Sequence, residues 1–292
     1  NKATPYTFAS GGTLFGHYYQ RSQTAEIRFD ITSQVTNQHE VKVGGKFKND
    51  LMEFEDFTVQ RDTLTYLTPT ILSPESPAHD LYSKEPIQFS AYAQDKMEFA
   101  SMIINAGIRY DYFNSRSEYL PNTYAPLSDT AMAEPKNTFS PRLGISFPIT
   151  DEGILHFSYG HFYQLPPYNF LYTNPTFEDN VAVPTFGNAN LKPEKTVTYE
   201  IGLQQQLTED LAFNVTGFYK DVRDLLALQQ IRVSSSFSYY TYVNQDYGNI
   251  QGITFSLTKR KMPGTLFGLS LDYTFQVAEG NEVNATAFFL DA

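Results

Sequence analysis

The feature that most constrains this chain is a strict alternation of apolar and polar residues, repeated in several long segments. In the clearest one, Phe267, Leu269, Leu271, Tyr273, Phe275 and Val277 alternate with Gly268, Ser270, Asp272, Thr274 and Gln276. A period of two is typical of a β-strand with one apolar and one polar face. Strands of soluble sandwiches average about five or six residues, and these runs are longer. Long alternating strands joined by short turns on one side and long loops on the other indicate an outer-membrane β-barrel.

Composition fits this interpretation. No segment reaches the roughly 18 consecutive apolar residues that indicate a transmembrane helix, and the mean hydropathy is −0.36. A barrel strand contacts lipid only at every second residue, so an unremarkable mean is expected. Aromatic residues make up 15% of the chain, with 21 Tyr and 24 Phe, as interfacial girdles require. The net charge of −11 argues against a nucleic-acid partner, and the absence of cysteine excludes disulfides and thiolate metal sites.

The alternating segments come in pairs joined by short turns. The predicted pairs cover residues 23–35 with 39–57, 87–97 with 102–112, 139–147 with 154–163, 196–206 with 212–222, and 252–260 with 266–277. The sequence therefore predicts an all-β fold of about ten antiparallel strands. It opens without the charged and apolar regions of a signal peptide, which indicates either a processed precursor or a fragment of a longer protein. Because residues 288–292 follow a loop-like stretch without completing another strand, we expect a fragment.

Long, proline-containing connections separate the pairs, at about 60–86, 113–138, 164–195, 224–248 and from 279 onward. Connections of this length indicate function or disorder, and in a barrel they lie on the extracellular side. The segments 225–233 and 238–243 predict a hairpin that extends above the membrane. Tyr239, Tyr240, Tyr242 and Tyr247 predict an aromatic-rich tip of this hairpin. Such a tip can stack on sugars or planar chelates, or belong to a structural girdle. The candidate ligand-binding residues in these loops are Tyr168, Tyr172, Phe186, Tyr239, Tyr240, Tyr242 and Tyr247.

The two faces of the strands differ in charge. A Lys or Arg that faces lipid at the midplane costs about 2–4 kcal/mol, and the apolar faces carry almost no charge. The opposite faces carry the candidate lumen-lining residues Arg109, Asp111, Arg142, Glu200, Lys220 and Asp272. A face this polar predicts a wide, hydrated lumen. Ten strands cannot close such a barrel, so we expect the sheet to continue beyond both ends of this sequence.

No motif of catalysis occurs in the chain. The sequence has no G-x-S-x-G, P-loop or H-E-x-x-H pattern, and we predict neither an enzyme nor a bound metal or cofactor. The histidines are scattered, and His156 and His161 point to opposite faces of one predicted strand because they are five residues apart.

The most specific stretch is Asn188-Ala189-Asn190-Leu191-Lys192-Pro193-Glu194, followed by Tyr199-Glu200-Ile201-Gly202. It resembles the N-P-x-L-K-P-E and Y-E-x-G signature of TonB-dependent outer-membrane receptors. Three further elements are similar to strands of that family: Phe139-Ser140-Pro141-Arg142-Leu143-Gly144, Gly107-Ile108-Arg109-Tyr110-Asp111, and Tyr242-Val243-Asn244 with Gly248 to Ile253. Ala189 stands where the family has proline, and Thr254 where its last element has glutamate.

The resemblance implies that residues 1–292 are part of a 22-stranded receptor barrel in the outer membrane of a Gram-negative bacterium, without the plug domain and the closing C-terminal strands. It implies TonB-dependent active uptake of a bulky, scarce ligand such as a siderophore, cobalamin or an oligosaccharide. The implied partners are outer-membrane lipid, the inner-membrane TonB complex acting through the plug, the ligand, and in some members a surface lipoprotein. Two alternatives stay open: a passive porin, and an adhesin or secretion barrel whose loops bind a protein.

Overall fold

The computed structural model describes residues 16–58, 60–61, 69–70, 79–125, 129–173, 184–235, 237–263 and 266–281. Its elements are β1 (Gly16–Gln34), β2 (His39–Thr58), β3 (Gln60–Arg61), β4 (Pro69–Thr70), β5 (His79–Lys84), β6 (Ile87–Phe99), β7 (Met102–Asn114), β8 (Glu118–Tyr119), β9 (Ala131–Met132), β10 (Lys136–Pro148), β11 (Gly153–Gln164), α1 (Tyr168–Tyr172), β12 (Thr185–Phe186), β13 (Glu194–Gln206), β14 (Leu211–Arg232), β15 (Ser238–Lys259) and β16 (Leu269–Gly280). Among these residues, no helix has the length and apolar character needed to cross a membrane.

One sheet contains all the long strands. Its order is β1-β2-β6-β7-β10-β11-β13-β14-β15-β16, with the short β5 added at β2 and β12 added at β15. Every pair of long neighbours is antiparallel. The five predicted strand pairs and their all-β, antiparallel class are therefore confirmed. In the described part of the chain, β1 and β16 form the two edges of the sheet.

The strands extend further than the alternation predicts, and mostly on the long-loop side. The β14–β15 hairpin reaches Arg232 and Ser238, which confirms the predicted extension. Its register shifts between Val222 and Leu225, where Asp224 adopts a positive φ of 57°. A β-bulge of this kind bends the strands and increases their twist. Several elements lie in connections that carried no strand or helix prediction: the two-residue strands β3, β4, β8, β9 and β12, the strand β5, which pairs with residues 52–57 of β2, and the helix α1.

The strand register separates the side chains into two continuous faces. Residues directly opposite each other in an antiparallel pair share a face. Across β1, β2, β6, β7 and β10, one row of residues that lie opposite each other contains Phe29, Gly45, Ala91, Tyr110 and Phe139. Across β11, β13, β14, β15 and β16, another row on the same side contains Phe157, Ile201, Gly217, Ile253 and Phe275. We call this apolar side the outer face; its large side chains are exposed, for example Ile108 at 52%. A surface of this kind requires lipid rather than water as its neighbour.

The opposite side, which we call the inner face, is polar. One row across it reads Lys42, Gln94, Gly107, Arg142, Gly160, Thr198 and Lys220. Arg109 and Asp111 lie on this inner face in β7, and Glu200 lies on it in β13. Asp272 of β16 pairs with Ser256 of β15, and both also lie on the inner face. The structure thus places all six predicted lumen residues on one face.

Candidate functional site

A short helical segment covers the inner face near the strand ends that lead into the long connections. It comprises residues 165–173 and includes α1 (Tyr168–Tyr172); we call it the roof. Helix α1 follows Pro166 and Pro167, whose fixed φ suits a helix start and whose missing N–H groups leave no donor unsatisfied there. Its apolar side chains point toward the sheet, where Leu171 and Tyr172 are buried.

A buried polar network binds the roof to strands β2 and β6, with a further contact from β1. Tyr168 Oη donates to Asp50 Oδ2 at 2.6 Å and accepts from Gln88 Nε2 at 2.8 Å. Thr24 Oγ1 donates to Asp50 Oδ1 at 2.6 Å, and Lys48 Nζ lies 2.9 Å from Asp50 Oδ2. Asp50 is only 1% exposed, so this carboxylate is held by three neighbours instead of water. Because burial raises the pKa of Tyr168 and the Asp50 hydrogen bond raises it further, the phenol stays a neutral donor.

Aromatic stacking supports the same contact. The buried cluster comprises Phe113, Leu171, Tyr172 and Leu191. Phe170 stacks on Tyr242 with ring centroids 4.2 Å apart, and Tyr172 Oη donates to the carbonyl of Ser115 at 2.8 Å. Burial raises the pKa of Tyr172 and, on β5, raises the pKa of Tyr82 to about 12.

A second cluster lies under the tip of the β14–β15 hairpin. Phe186, Ile231 and Tyr239 form its buried part, with Leu120, Val233 and Phe237 packed around them. Tyr239 Oη donates to the carbonyl of Thr123, and burial raises the pKa of Tyr239 to about 12. Strand β12 joins this cluster by pairing in parallel with β15. The extended hairpin therefore packs against neighbouring loops.

The predicted ligand-binding residues differ in the exposure of their side chains, from fully buried to about half exposed. Tyr172 and Tyr239 are 0% exposed and Phe186 is 1% exposed, so their side chains form loop cores. Tyr168 is engaged in the polar network, Tyr242 is stacked on Phe170, and Tyr240 is half-buried. Tyr247 has the most open ring of the set, at 47%, with the Arg223 guanidinium 5.3 Å from its centroid.

The position of these tyrosines also differs from the expectation that all four hairpin tyrosines lie at its tip. The turn runs from Val233 to Phe237, and Tyr239, Tyr240, Tyr242 and Tyr247 lie along β15. Only Tyr239 and Tyr240 are next to the turn. The predicted connection 164–195 is described up to residue 173 and from residue 184, so its central part lies outside the described residues.

Asn188 and Asn244 connect the N-A-N-L-K-P-E segment (residues 188–194) to the β14–β15 hairpin by hydrogen bonds. The sequence alone does not predict this role. Asn244 Oδ1 accepts from the Lys192 N–H at 2.8 Å, and its Nδ2 donates to the carbonyls of Lys192 at 3.0 Å and Asp224 at 2.8 Å. Asn188 Nδ2 donates to the Tyr242 carbonyl at 3.0 Å. An asparagine side chain that carries both donor and acceptor can bridge two backbones at once. The Y-V-N and N-A-N-L-K-P-E elements are therefore one structural unit.

Two adjoining cavities lie on the inner face below the roof, of about 510 and 400 Å³. Both are lined by Arg109, Ser140, Arg142 and Phe162. Arg109 forms an ion pair with Asp111 at 2.6 Å, whereas the Arg142 guanidinium lies 4.7 Å from the Phe162 ring centroid. Glu200 lines the larger cavity and accepts from Ser158 Oγ at 2.9 Å. Lys220 and Asp272 lie on the same face outside both linings.

His156 and His161 do not converge, whereas His17 and His79 both lie against the Glu55 carboxylate, at 3.6 and 3.1 Å. His156 pairs with Gly202 on the inner face and His161 with Val197 on the outer face, which confirms their predicted separation. The His161 ring and Tyr159 Oη are hydrogen bonded at 2.7 Å. Within the described ranges, no group of three or more His, Cys, Asp or Glu residues could hold a metal ion.

Comparison with known proteins gives a consistent result. Residues 1–289 match a protein family described as TonB dependent receptor-like, beta-barrel. The vitamin B12 transporter BtuB of Photobacterium profundum is 31% identical over 135 residues, which cover 45% of this chain and 20% of that protein.

Solved structures resemble this fold at low sequence identity. The FrpB iron transporter of Neisseria meningitidis superposes with a TM-score of 0.61 at 16% identity, covering 90% of this chain and 37% of that one. The hemophore receptor HasR of Serratia marcescens, solved with its hemophore HasA and heme, superposes with a TM-score of 0.62 at 17% identity, covering 90% and 43%. The chain thus spans about a fifth of the curated relative and less than half of these solved structures.

Proposed function

The chain belongs to the family of TonB-dependent receptor β-barrels, and on that premise we propose that it forms part of the wall of a receptor that actively takes up a scarce, bulky ligand. Barrels of this family lie in the outer membrane of Gram-negative bacteria, and its members are receptors and transporters rather than enzymes. The energy for uptake comes from the inner-membrane TonB complex, acting through a plug domain that fills the lumen. The outer face meets lipid, and the inner face lines the passage.

The observation that carries the proposal is the roof above the polar inner face. A simple pore needs an open passage, whereas here a loop folds inward and is fastened to the wall by Tyr168, Asp50 and Gln88. Below it, the inner face carries charged groups and two cavities. Such a surface suits stepwise capture of a ligand better than unselective diffusion.

The ligand classes that we propose are an iron chelate of the siderophore type, cobalamin, or an oligosaccharide. The named relatives support the first two, because their names record vitamin B12 and iron as what those proteins transport. Ligand contact falls to the exposed side of the loops, with the half-buried Tyr240 as the candidate aromatic ring; Tyr247 lies on the same side of β15 as Ile253, the outer face. A surface lipoprotein is a further partner if the ligand is a glycan.

Uptake in cells with and without TonB tests the function. Cells that express the complete receptor are given radiolabelled cyanocobalamin, a ferric siderophore or a labelled maltooligosaccharide, and surface binding and internal accumulation are measured separately. We expect accumulation of one of these ligands that disappears in TonB-deficient cells while surface binding persists. Accumulation that is independent of TonB would indicate a porin, and binding of a protein without any ligand uptake would indicate an adhesin or secretion barrel.

A further inference from the structure

The outer face changes its chemistry stepwise toward the long connections. The row that contains Phe157 and Ile201 is apolar. Two residues further along these strands, Tyr159, Tyr199 and Tyr219 lie side by side, with neighbouring ring centroids 5.1 and 6.4 Å apart. Tyrosine rings collect where the hydrocarbon of a membrane meets its headgroups. This tyrosine row therefore marks the edge of the hydrocarbon layer.

Two cations lie on the same face, four residues beyond the tyrosine row. Lys195 of β13 lies directly opposite Arg223 of β14. Tyr163 of β11 flanks Lys195, and the ring centroid of Tyr247 on β15 lies 5.3 Å from the Arg223 guanidinium. We call these four residues the cationic row. Four residues span roughly 13 Å along a strand, or about 10 Å along the membrane normal at the usual strand tilt, which places the cationic row in the headgroup layer next to the long connections.

The cationic row holds two like charges in direct register. Like charges that lie opposite each other destabilise a sheet. Asp221 contacts the Arg223 Nε at 2.8 Å, but the Arg223 side chain stays 55% exposed. In the part of the chain that the structure describes, Lys195 forms no ion pair with any carboxylate, Asp224 of the adjacent bulge included. An anion from outside the chain would remove the repulsion between the two cations.

The position of the cationic row separates it from the cations of the inner face. Lys220, three residues before Arg223 on β14, pairs with Thr198 and lies on the polar inner side. Lys195 and Arg223 instead lie above the tyrosine row and the apolar rows of the outer face. A ligand that fits this surface carries negative charge at one end and hydrocarbon at the other.

We propose that the cationic row binds the phosphate group of a glycolipid in the outer leaflet of the membrane. The Arg223 guanidinium offers a planar fork that suits phosphate, and Lys195 adds a compact positive charge beside it. The phenols of Tyr163 and Tyr247 can donate to further headgroup oxygens, while the acyl chains lie over the tyrosine row. Basic clusters beside the hydrocarbon recognise anionic headgroups in other membrane proteins. The inference rests on the place of the family's barrels in the outer membrane, whatever ligand is taken up.

Lipid retention by the complete receptor tests the site. The receptor is reconstituted in phosphatidylcholine nanodiscs that contain either bisphosphorylated lipid A or the same lipid A with its phosphates removed. Native mass spectrometry counts the lipid A that stays bound after release into detergent, over a titration of lipid A. We expect the wild-type receptor to retain the phosphorylated form in preference. Lys195→Gln or Arg223→Gln should each weaken retention about fivefold, and the double variant should weaken it roughly 30-fold.

Two matched variants control for charge and for position. Lys195→Arg keeps the charge and should retain lipid A as the wild type does. Lys220→Gln removes the same charge from the inner face of β14 and should leave retention unchanged. Thermal unfolding in nanodiscs without lipid A shows whether each variant is folded, and the contrast between Lys195→Arg and Lys195→Gln decides the case if the double variant is not.

Equal retention by the wild type and the Lys195→Gln/Arg223→Gln variant would overturn the site, and so would equal retention of phosphorylated and dephosphorylated lipid A by the wild type. Binding of inorganic phosphate in detergent with the same dependence on both cations would assign the row to a free anion and refute the lipid. A double variant that loses receptor dimers but keeps its lipid would show that a second copy covers the row. TonB-dependent uptake is measured separately, because its loss would refute the proposed function and leave the lipid site standing.

Discussion

The contact of Tyr168 with the wall should determine how often the roof opens. Tyr168→Phe removes the hydroxyl that donates to Asp50 at 2.6 Å and accepts from Gln88 at 2.8 Å. The ring and its packing against Phe113, with centroids 6.5 Å apart, remain. A hydrogen bond to a charged group contributes about 1.5–3 kcal/mol. Loss of about 2–3 kcal/mol of roof stability corresponds to roughly 30- to 150-fold more frequent opening.

Hydrogen exchange measures this opening directly. The N–H groups of Gly187 and Asn188 donate to the carbonyls of Thr173 and Phe170 at 2.7 and 2.8 Å, so they are released when the roof lifts. We expect peptides that contain these amides to exchange faster in Tyr168→Phe by that factor, while amides of the long strands exchange at the wild-type rate.

A matched variant separates the roof contact from general loss of a tyrosine hydroxyl. Tyr110 Oη donates to Asn137 Oδ1 at 2.6 Å on the outer face, so Tyr110→Phe should leave roof exchange unchanged. Asp50→Asn should accelerate it, because the neutral amide is a weaker acceptor. Unchanged exchange in Tyr168→Phe, or equal acceleration in strands and roof, would refute the reasoning.

Four further changes test other parts of the structure. Asn244→Ala removes three hydrogen bonds and should destabilise the extended hairpin by roughly 2–4 kcal/mol, read as faster exchange of the 225–243 amides. Gly202→Val places a Cβ atom against the His156 imidazole ring on the neighbouring strand and should cost about 1–3 kcal/mol, measured as a lower midpoint of urea unfolding. Ile108→Arg puts a charge on the outer face and should cost up to about 2–4 kcal/mol, whereas Asn105→Arg on the inner face should cost much less in the same assay. Because burial raises the pKa of Tyr239 to about 12, its contribution to stability is complete below the unfolded value near 10 and is lost as pH rises toward 12. Absorbance of tyrosinate at 295 nm should show several late-titrating tyrosines, and Tyr239→Phe should lower the amplitude of that late phase by one tyrosine.

The strands were predictable from the sequence because each carries its own signal. Alternation such as that of Leu271, Asp272 and Tyr273 depends only on which side of one strand each residue occupies. The pairs then follow from short turns, and the faces follow from the cost of charge in lipid. Strand ends were less predictable, because the alternation weakens where both faces leave the membrane and the strand continues by pairing alone.

The loops carry no such local signal. Tyr168 and Asp50 are 118 residues apart in sequence, and nothing in the residues around either one indicates the other. The sequence predicts that the tyrosines of the β14–β15 hairpin are candidate ligand contacts, whereas Tyr239 is buried and packs within the loops. The burial of Tyr172 has the same origin, since a loop residue becomes a core residue only when another loop covers it.

The residues of the family motifs show a further limit of predicting structure from sequence. Asn244 and Lys192 belong to stretches that the sequence singles out, and the resemblance to a family rests partly on them. Their physical role, an asparagine that bridges the Lys192 and Asp224 backbones, depends on the bulge at Asp224. That bulge interrupts the register and has no signature in the hydrophobic pattern.

The odd-numbered side chains of the long strands, such as those of β16 (Leu269–Gly280), should face lipid. Since the chain contains no cysteine, single cysteines at positions 271–277 can carry a nitroxide label in the complete receptor reconstituted in lipid. Collision with oxygen, which concentrates in the bilayer, should then alternate with a period of two, high at Leu271, Tyr273 and Phe275 and low at Asp272 and Thr274. A flat profile, or odd positions that collide more with a water-soluble nickel complex, would contradict the account.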